Sequence, residues 1–266
     1  MDRMNAAPTV VQPTTVGVGT SLLVRGAQVV VACTAAGIVA GGIGSRVVMR
    51  IAAVTALEAE GMVTDNGNLV GRITAEGTIA LGLLVAVATA IVGASALVLM
   101  RSYLPRSTGL RGAAFGLALL LFAHFVVIDP GNADFAILGD RAQNIALFAA
   151  LFIIYGIVAS GALAVVESRT PARWIDPPPP VLAVLCVLPC AAIALGVAVV
   201  AVSPEGLRGP ALVVAGAAAA VAWWLRERRP GAARGLRAIG WVAFAGSLAA
   251  GAADLVHSLD VFFPAF

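Results

Sequence analysis

Two arginines one helical turn apart, Arg46 and Arg50, close an apolar, glycine-rich stretch that reads GIVAGGIGSRVVMR from Gly37. Few other groups in the chain are suited to chemistry. The only histidines are His124 and His257, and Asp254-x-x-His257 sets a carboxylate and an imidazole on one helix face. Histidines and carboxylates gathered in one place can form a proton relay, or a metal site if enough ligands converge. The candidate polar cluster is therefore Arg46, Arg50, Arg72, His124, Asp129, Asp134, Asp254 and His257. Any Asp and His three residues apart share a face, so the default reading is a structural, hydrogen-bonded cluster. No metal or other cofactor is expected.

Several chemistries are excluded outright. All 17 basic residues are arginine, so there is no phosphate-cradling loop ending in Gly-Lys-Ser/Thr. Nor is there a Schiff-base lysine, which removes a retinal pigment. His-Glu-x-x-His and Gly-x-Ser-x-Gly are both absent. Cys33, Cys186 and Cys190 lie inside apolar segments and read as packing residues. Val30-Val31-Ala32-Cys33 resembles a lipoprotein cleavage site, but only seven residues separate Arg25 from Cys33. That is short for a signal-peptide core, and the run reads as membrane helix.

The elements that must position these residues are apolar helices. Sixty percent of the residues are hydrophobic and 12% are charged, against roughly 25% charged in an ordinary soluble domain. Mean hydropathy is +0.98. The expected fold is all-α, a polytopic transmembrane bundle of seven helices. Uncharged runs place them at residues 26–45, 78–100, 112–128, 144–166, 181–202, 209–225 and 238–257. Twenty residues suffice to cross a ~30 Å hydrocarbon core. The first helix is expected to continue past Arg46 and Arg50, with its glycines permitting a kink or a close helix contact.

Domain organisation follows. Residues 1–25 read as a mobile cytoplasmic tail and 26–176 as a four-helix module. Four prolines at 177–180 make a stiff connector, and 181–266 form a three-helix module, kinked at Pro189. Asp65-Asn66-Gly67-Asn68 is a turn signature in the first loop. Trp223, Trp224 and Trp241 flank an arginine-rich loop as interfacial anchors. Gly37/Gly41, Gly112/Gly116 and Gly156/Ser160 are small-xxx-small pairs of the kind that bring membrane helices together.

Alternate loops collect 12 arginines with four acids on one side, and five arginines with ten acids on the other. The arginine-rich side is expected inside, giving an internal N-terminus and an external C-terminus. Arg46 and Arg50 then fall at the outer end of the first helix, where three arrangements can compensate them. They can snorkel to the headgroups, pair with Glu58, Asp129, Asp134 or Asp254, or bind an anionic ligand or lipid headgroup. On the last helix, Ala243, Ser247, Ala250, Asp254 and His257 recur at steps of three and four and are expected to face the bundle.

Gly41-Gly42-x-x-x-Arg46-x-x-Met49-Arg50, Asp65-Asn66-Gly67 with Gly71-Arg72-Ile73-Thr74, and Asp134-Phe135 resemble a family of uncharacterised bacterial multi-pass membrane proteins. The resemblance covers about residues 35–168. It implies the topology and no mechanism. Three functions remain open: an accessory or structural component of a membrane assembly, a small-solute transporter with an outward polar cluster, and a lipid-acting enzyme. The expected setting is the inner (plasma) membrane. The expected partners are the lipid bilayer and other membrane subunits or further copies of the chain, with no nucleic acid.

Overall fold

The computed structural model describes residues 15–63, 69–70, 74–128, 130–132, 134–170 and 233–263. The expected helices at 181–202 and 209–225, the prolines at 177–180 and the kink at Pro189 lie outside them. So do Arg72, Asp129, Cys186, Cys190, Trp223 and Trp224.

Every described segment of length is helical. Helix α1 (Thr15–Ala36) passes through eight residues of wider π-helical winding (Gly37–Gly44) into α2 (Ser45–Thr55) without a break. Next come α3 (Ala75–Met100), α4 (Thr108–Ala123), the short α5 (Asp134–Ile137), α6 (Arg141–Arg169) and α7 (Ala233–Phe262). Three helical stretches are long and apolar enough to cross a membrane: Val24–Thr55, Arg141–Arg169 and Gly240–Phe262. Two expectations shift. Residues 15–25, read as tail, are helical. The third segment ends early at Ala123, where His124–Val126 tighten into a 3₁₀ turn.

Helix α6 is the centre of the described bundle, packed by α1, α2, α4, α5 and the π segment. Asp140 starts it by accepting hydrogen bonds from the amides of Ala142 (2.8 Å) and Gln143 (3.3 Å), which satisfies donors that a helix leaves orphaned. Against α4 the two backbones touch. A Cβ on Gly112 would stand 2.6 Å from Ile157 Cα, and one on Gly116 would stand 2.7 Å from Ile153 Cα. From the other side, a Cβ on Gly156 would meet Gly116 Cα at 2.7 Å. Gly112 and Gly116 of one small-residue pair and Gly156 of another therefore meet in a single helix contact.

Helix α1 lies against α3 and α6 through a core of Cys33, Ala36, Ala40, Ala94, Leu97, Phe115, Tyr155 and Ala159. The π-helical glycines also make a close contact, since a Cβ on Gly44 would be 2.7 Å from Leu151 Cδ2 on α6. Cross-links fix the directions of the helices. Gln28 on α1 donates to Thr170 Oγ1 at 2.8 Å, and Arg101 after α3 pairs with Glu167 on α6 at 2.8 Å. Tyr103 and Trp241 stack edge to face with centroids 5.1 Å apart, bringing the first half of α7 to the same end. At the opposite end Ala56, Ala59 and Val70 pack with Ile137 and Leu138. The described long helices thus alternate in direction, as the spacing of the apolar runs requires.

The glycine contact sets a prediction. Gly156→Ala drives a methyl into the α4 backbone and should lower stability by about 1–3 kcal/mol, the cost of overpacking. Gly161→Ala, on the same helix with open space around it, should hold or slightly raise stability. Thermal unfolding of both variants in detergent checks the contrast, and equal effects would contradict the contact.

Candidate functional site

The proposed cluster divides into two places. The first is built where α4 stops. His124 is the C-terminal cap of α4, with its side chain 1% exposed. Its Nε2 lies 3.5 Å from Asp254 Oδ2 on α7, and that carboxylate is 41% exposed. Neither ring nitrogen of His124 has a hydrogen-bond partner. The contact is thus a close approach of two ionisable groups, attractive when the imidazole is protonated. Packing around it is aromatic and apolar: Leu120, Ile128, Phe135 and Phe262 form one cluster, with Leu255 and Phe148 against it. Asp254 connects the buried ring to the surface.

Helix α7 brings Asp254 there by a face other than the expected one. Ser247, Ala250 and His257 are exposed, and Ala243 is not among the side chains described. The packed positions are Phe244, Gly251, Leu255 and Phe262. Phe244 stacks on Tyr103 (5.2 Å) and tilts against Phe122 (6.5 Å), and Phe262 meets Phe135 at 5.1 Å. A Cβ on Gly251 would stand 2.9 Å from the Leu121 carbonyl carbon. The small-and-polar stripe selected the edge of the interface because aromatic rings, not alanines, fill its middle. His257 is consequently apart from the His124–Asp254 pair.

The second place is the outer flank of α1–α2. Ile38, Gly42, Ile43, Arg46, Val47, Arg50 and Ile51, with Ile79 of α3, line an open groove of about 550 Å³. Arg46 is half-buried, with its Nε shielded and lacking a hydrogen-bond partner, while Arg50 is exposed. Among the described residues neither arginine forms an ion pair, so the expected partners Glu58, Asp134 and Asp254 do not serve. Ser45 donates to Gly41 O and to Gly42 O (3.2 Å) and stays on its own helix. Asp134 sits elsewhere, opening α5, with its amide donating to Asn132 Oδ1 at 2.8 Å.

One buried polar residue went unnoticed in the sequence. Asn144 is 2% exposed and donates from Nδ2 to Leu138 O at 2.7 Å, tying the α5–α6 loop to the first turn of α6. Its sequence signal was the Asp140–Asn144 pair at the head of an apolar helix. Among the described residues no group of three or more His, Cys, Asp or Glu is placed to hold a metal. Val63 and Leu69 pair antiparallel, and the turn signature Asp65-Asn66-Gly67-Asn68 between them lies outside the described residues.

The His124–Asp254 approach should be measurable as a coupling. His124→Gln and Asp254→Asn should each destabilise the bundle, and the double variant should lose less than the sum. A coupling of about 0.5–1 kcal/mol fits a pair with one partner partly solvated. Strict additivity in chemical unfolding would show that the two groups do not interact.

Comparison of the chain with protein-family models, curated proteins and solved structures finds no match.

Proposed function

We propose that this protein is a multi-pass membrane component of a larger assembly, with seven helices, an internal N-terminus and an external C-terminus. The observation that carries this reading is an apolar tip at the end of the first helix. Val24–Thr55 spans 32 residues, ~48 Å of helix at 1.5 Å per residue, well beyond a ~30 Å hydrocarbon core. The surplus ends in Leu57 (73% exposed), Val63 (63%), Met62 and Leu69, all outward. Beyond the hydrocarbon such a patch needs a cover, and a contiguous exposed apolar surface rimmed by polar residues marks a protein contact. Glu58 and Glu60 supply that rim. The partner surface is a second membrane subunit, in the plasma membrane that the arginine asymmetry and the family resemblance support.

A second reading, a solute transporter, draws on His124 and Asp254. An ionisable side chain within an apolar span is costly and is usually placed for a purpose. Here a shielded imidazole stands 3.5 Å from a partly exposed carboxylate, the two kinds of group that a proton path uses. The lipid-acting enzyme has no comparable observation in its favour.

The two readings separate by experiment. In native nanodiscs the wild-type chain should run as a complex heavier than one copy, and Leu57→Glu with Val63→Glu should release the single chain. Native mass spectrometry gives both masses. A wild-type monomer that drives solute flux, abolished by Asp254→Asn, would replace the assembly reading with the transporter.

A further inference from the structure

We infer that the Arg46–Arg50 groove is a binding site for an anionic phospholipid, its headgroup on the two guanidinium groups and one acyl chain along Ile38 and Ile43. The inference does not depend on what covers the apolar tip.

Three observations converge on this occupant. The first is depth. Arg46 follows Arg25 by 21 residues, about 30 Å of helix, which equals the thickness of the hydrocarbon core. With Arg25 at one interface, Arg46 and Arg50 stand at the headgroup level of the other. Ile38, Gly42 and Ile43 lie one to two turns toward the bilayer centre. The groove is therefore an apolar channel with two arginine side chains at its interfacial end, the order of a lipid.

The second is unmet charge. Arg46 and Arg50 share a face at i and i+4, where like charges repel. Among the described residues no carboxylate relieves them, and the shielded Nε of Arg46 has a proton with no acceptor. A guanidinium is a planar fork that suits phosphate oxygens. One phosphodiester held by the outer nitrogens of the two guanidinium groups would offset the repulsion, while the shielded Nε of Arg46 stays out of its reach.

The third is contrast with another arginine-lined pocket of the bundle. There Arg101, Arg106 and Arg111 surround about 370 Å³ beside Trp241. Its cations are largely spoken for: Arg101 pairs with Glu167 at 2.8 Å, and Arg111 donates to Pro105 O (3.1 Å) and Arg106 O (2.8 Å). The Arg46–Arg50 groove has the same cationic chemistry, and among the described residues it has no such internal acceptor. A loose anion would satisfy the charge but leave Ile38 and Ile43 unexplained, which favours an amphiphile over a free ion.

The test uses the full-length protein in detergent, titrated with phosphatidylglycerol or phosphatidylcholine and read by native mass spectrometry. Wild type should retain one phosphatidylglycerol about tenfold better than phosphatidylcholine, the order expected of two interfacial arginines. Arg46→Gln with Arg50→Gln should abolish the preference. Arg141→Gln, an exposed arginine opening α6 at the same end of the bundle, should leave it intact. If the double variant is not monodisperse, Arg50→Gln alone, at an exposed position, should cut the preference at least threefold. Preference surviving either variant, or falling equally in Arg141→Gln, overturns the site. Displacement of the lipid by inorganic phosphate would assign the arginines to a free anion and overturn the lipid.

Discussion

The rest of the described structure depends on the backbone contact between α4 and α6. In the bilayer proposed for this chain, lipid tails are as apolar as leucine, so burying apolar surface gives helices little reason to associate. Close packing has to supply it. Gly112, Gly116 and Gly156 remove the side chains that would hold the two helices apart, and the chains meet at Cα distance of approach. With α6 fixed to α4, its other faces become the support for α1, the π segment and α5. Tyr155 shows how the arrangement propagates. It is buried in the α1–α3–α6 core, tilted toward Phe115 of α4 at 6.2 Å, and set against Gly93 of α3, where a Cβ would come within 2.9 Å of its Cζ. One aromatic side chain thus presses on three helices, and a glycine is required at the point it reaches.

Much of this was legible in the residues. Uncharged runs located five helices that the structure describes, three of them within stretches long and apolar enough to cross a ~30 Å core. The pair Gly112/Gly116 and Gly156 of a second pair identified a contact correctly, since close approach needs small residues. The face of α7 was not legible. A stripe of small and polar residues was used as its marker, while the interface is made by Phe244 and Phe262 against Tyr103, Phe122 and Phe135. Aromatic residues at helical spacing fit a lipid-facing side equally well, so periodicity alone does not choose between them. The end of α4 was equally hidden. His124 continues an apolar run in the sequence, and only the tightening of the chain after Ala123 gives it an end position opposite Asp254.

The winding of Gly37–Gly44 belongs to the same lesson. Four glycines announced a kink or a close contact, and the contact is there, Gly44 against Leu151. The π-helical form was not announced. Eight residues of i to i+5 winding are long for a structure that usually occurs as a single turn, and the helix passes through it without a break. Its consequence is rotational. Wider winding changes the phase of everything that follows, so the direction in which Arg46 and Arg50 leave the helix is set by the glycines before them. A regular α-helix through the same residues would aim both arginines elsewhere.

The two ends of the bundle treat their cations differently, and this difference carries the functional argument. Near Arg101 the protein meets its own charge, with a carboxylate from α6 and carbonyls from the α3–α4 loop. Near Arg46 no described residue does so, although Glu58, Glu60 and Asp134 lie at the same end of the bundle. Those acids were the natural partners on charge grounds alone. Geometry withholds them: Asp134 opens a separate short helix, and the glutamates ride on the exposed turn beyond α2. A protein that needed these arginines only for stability could have paired them with acids on hand. Keeping two like charges one turn apart, above an apolar groove and with no acceptor among the described residues, makes sense when the acceptor comes from outside the chain.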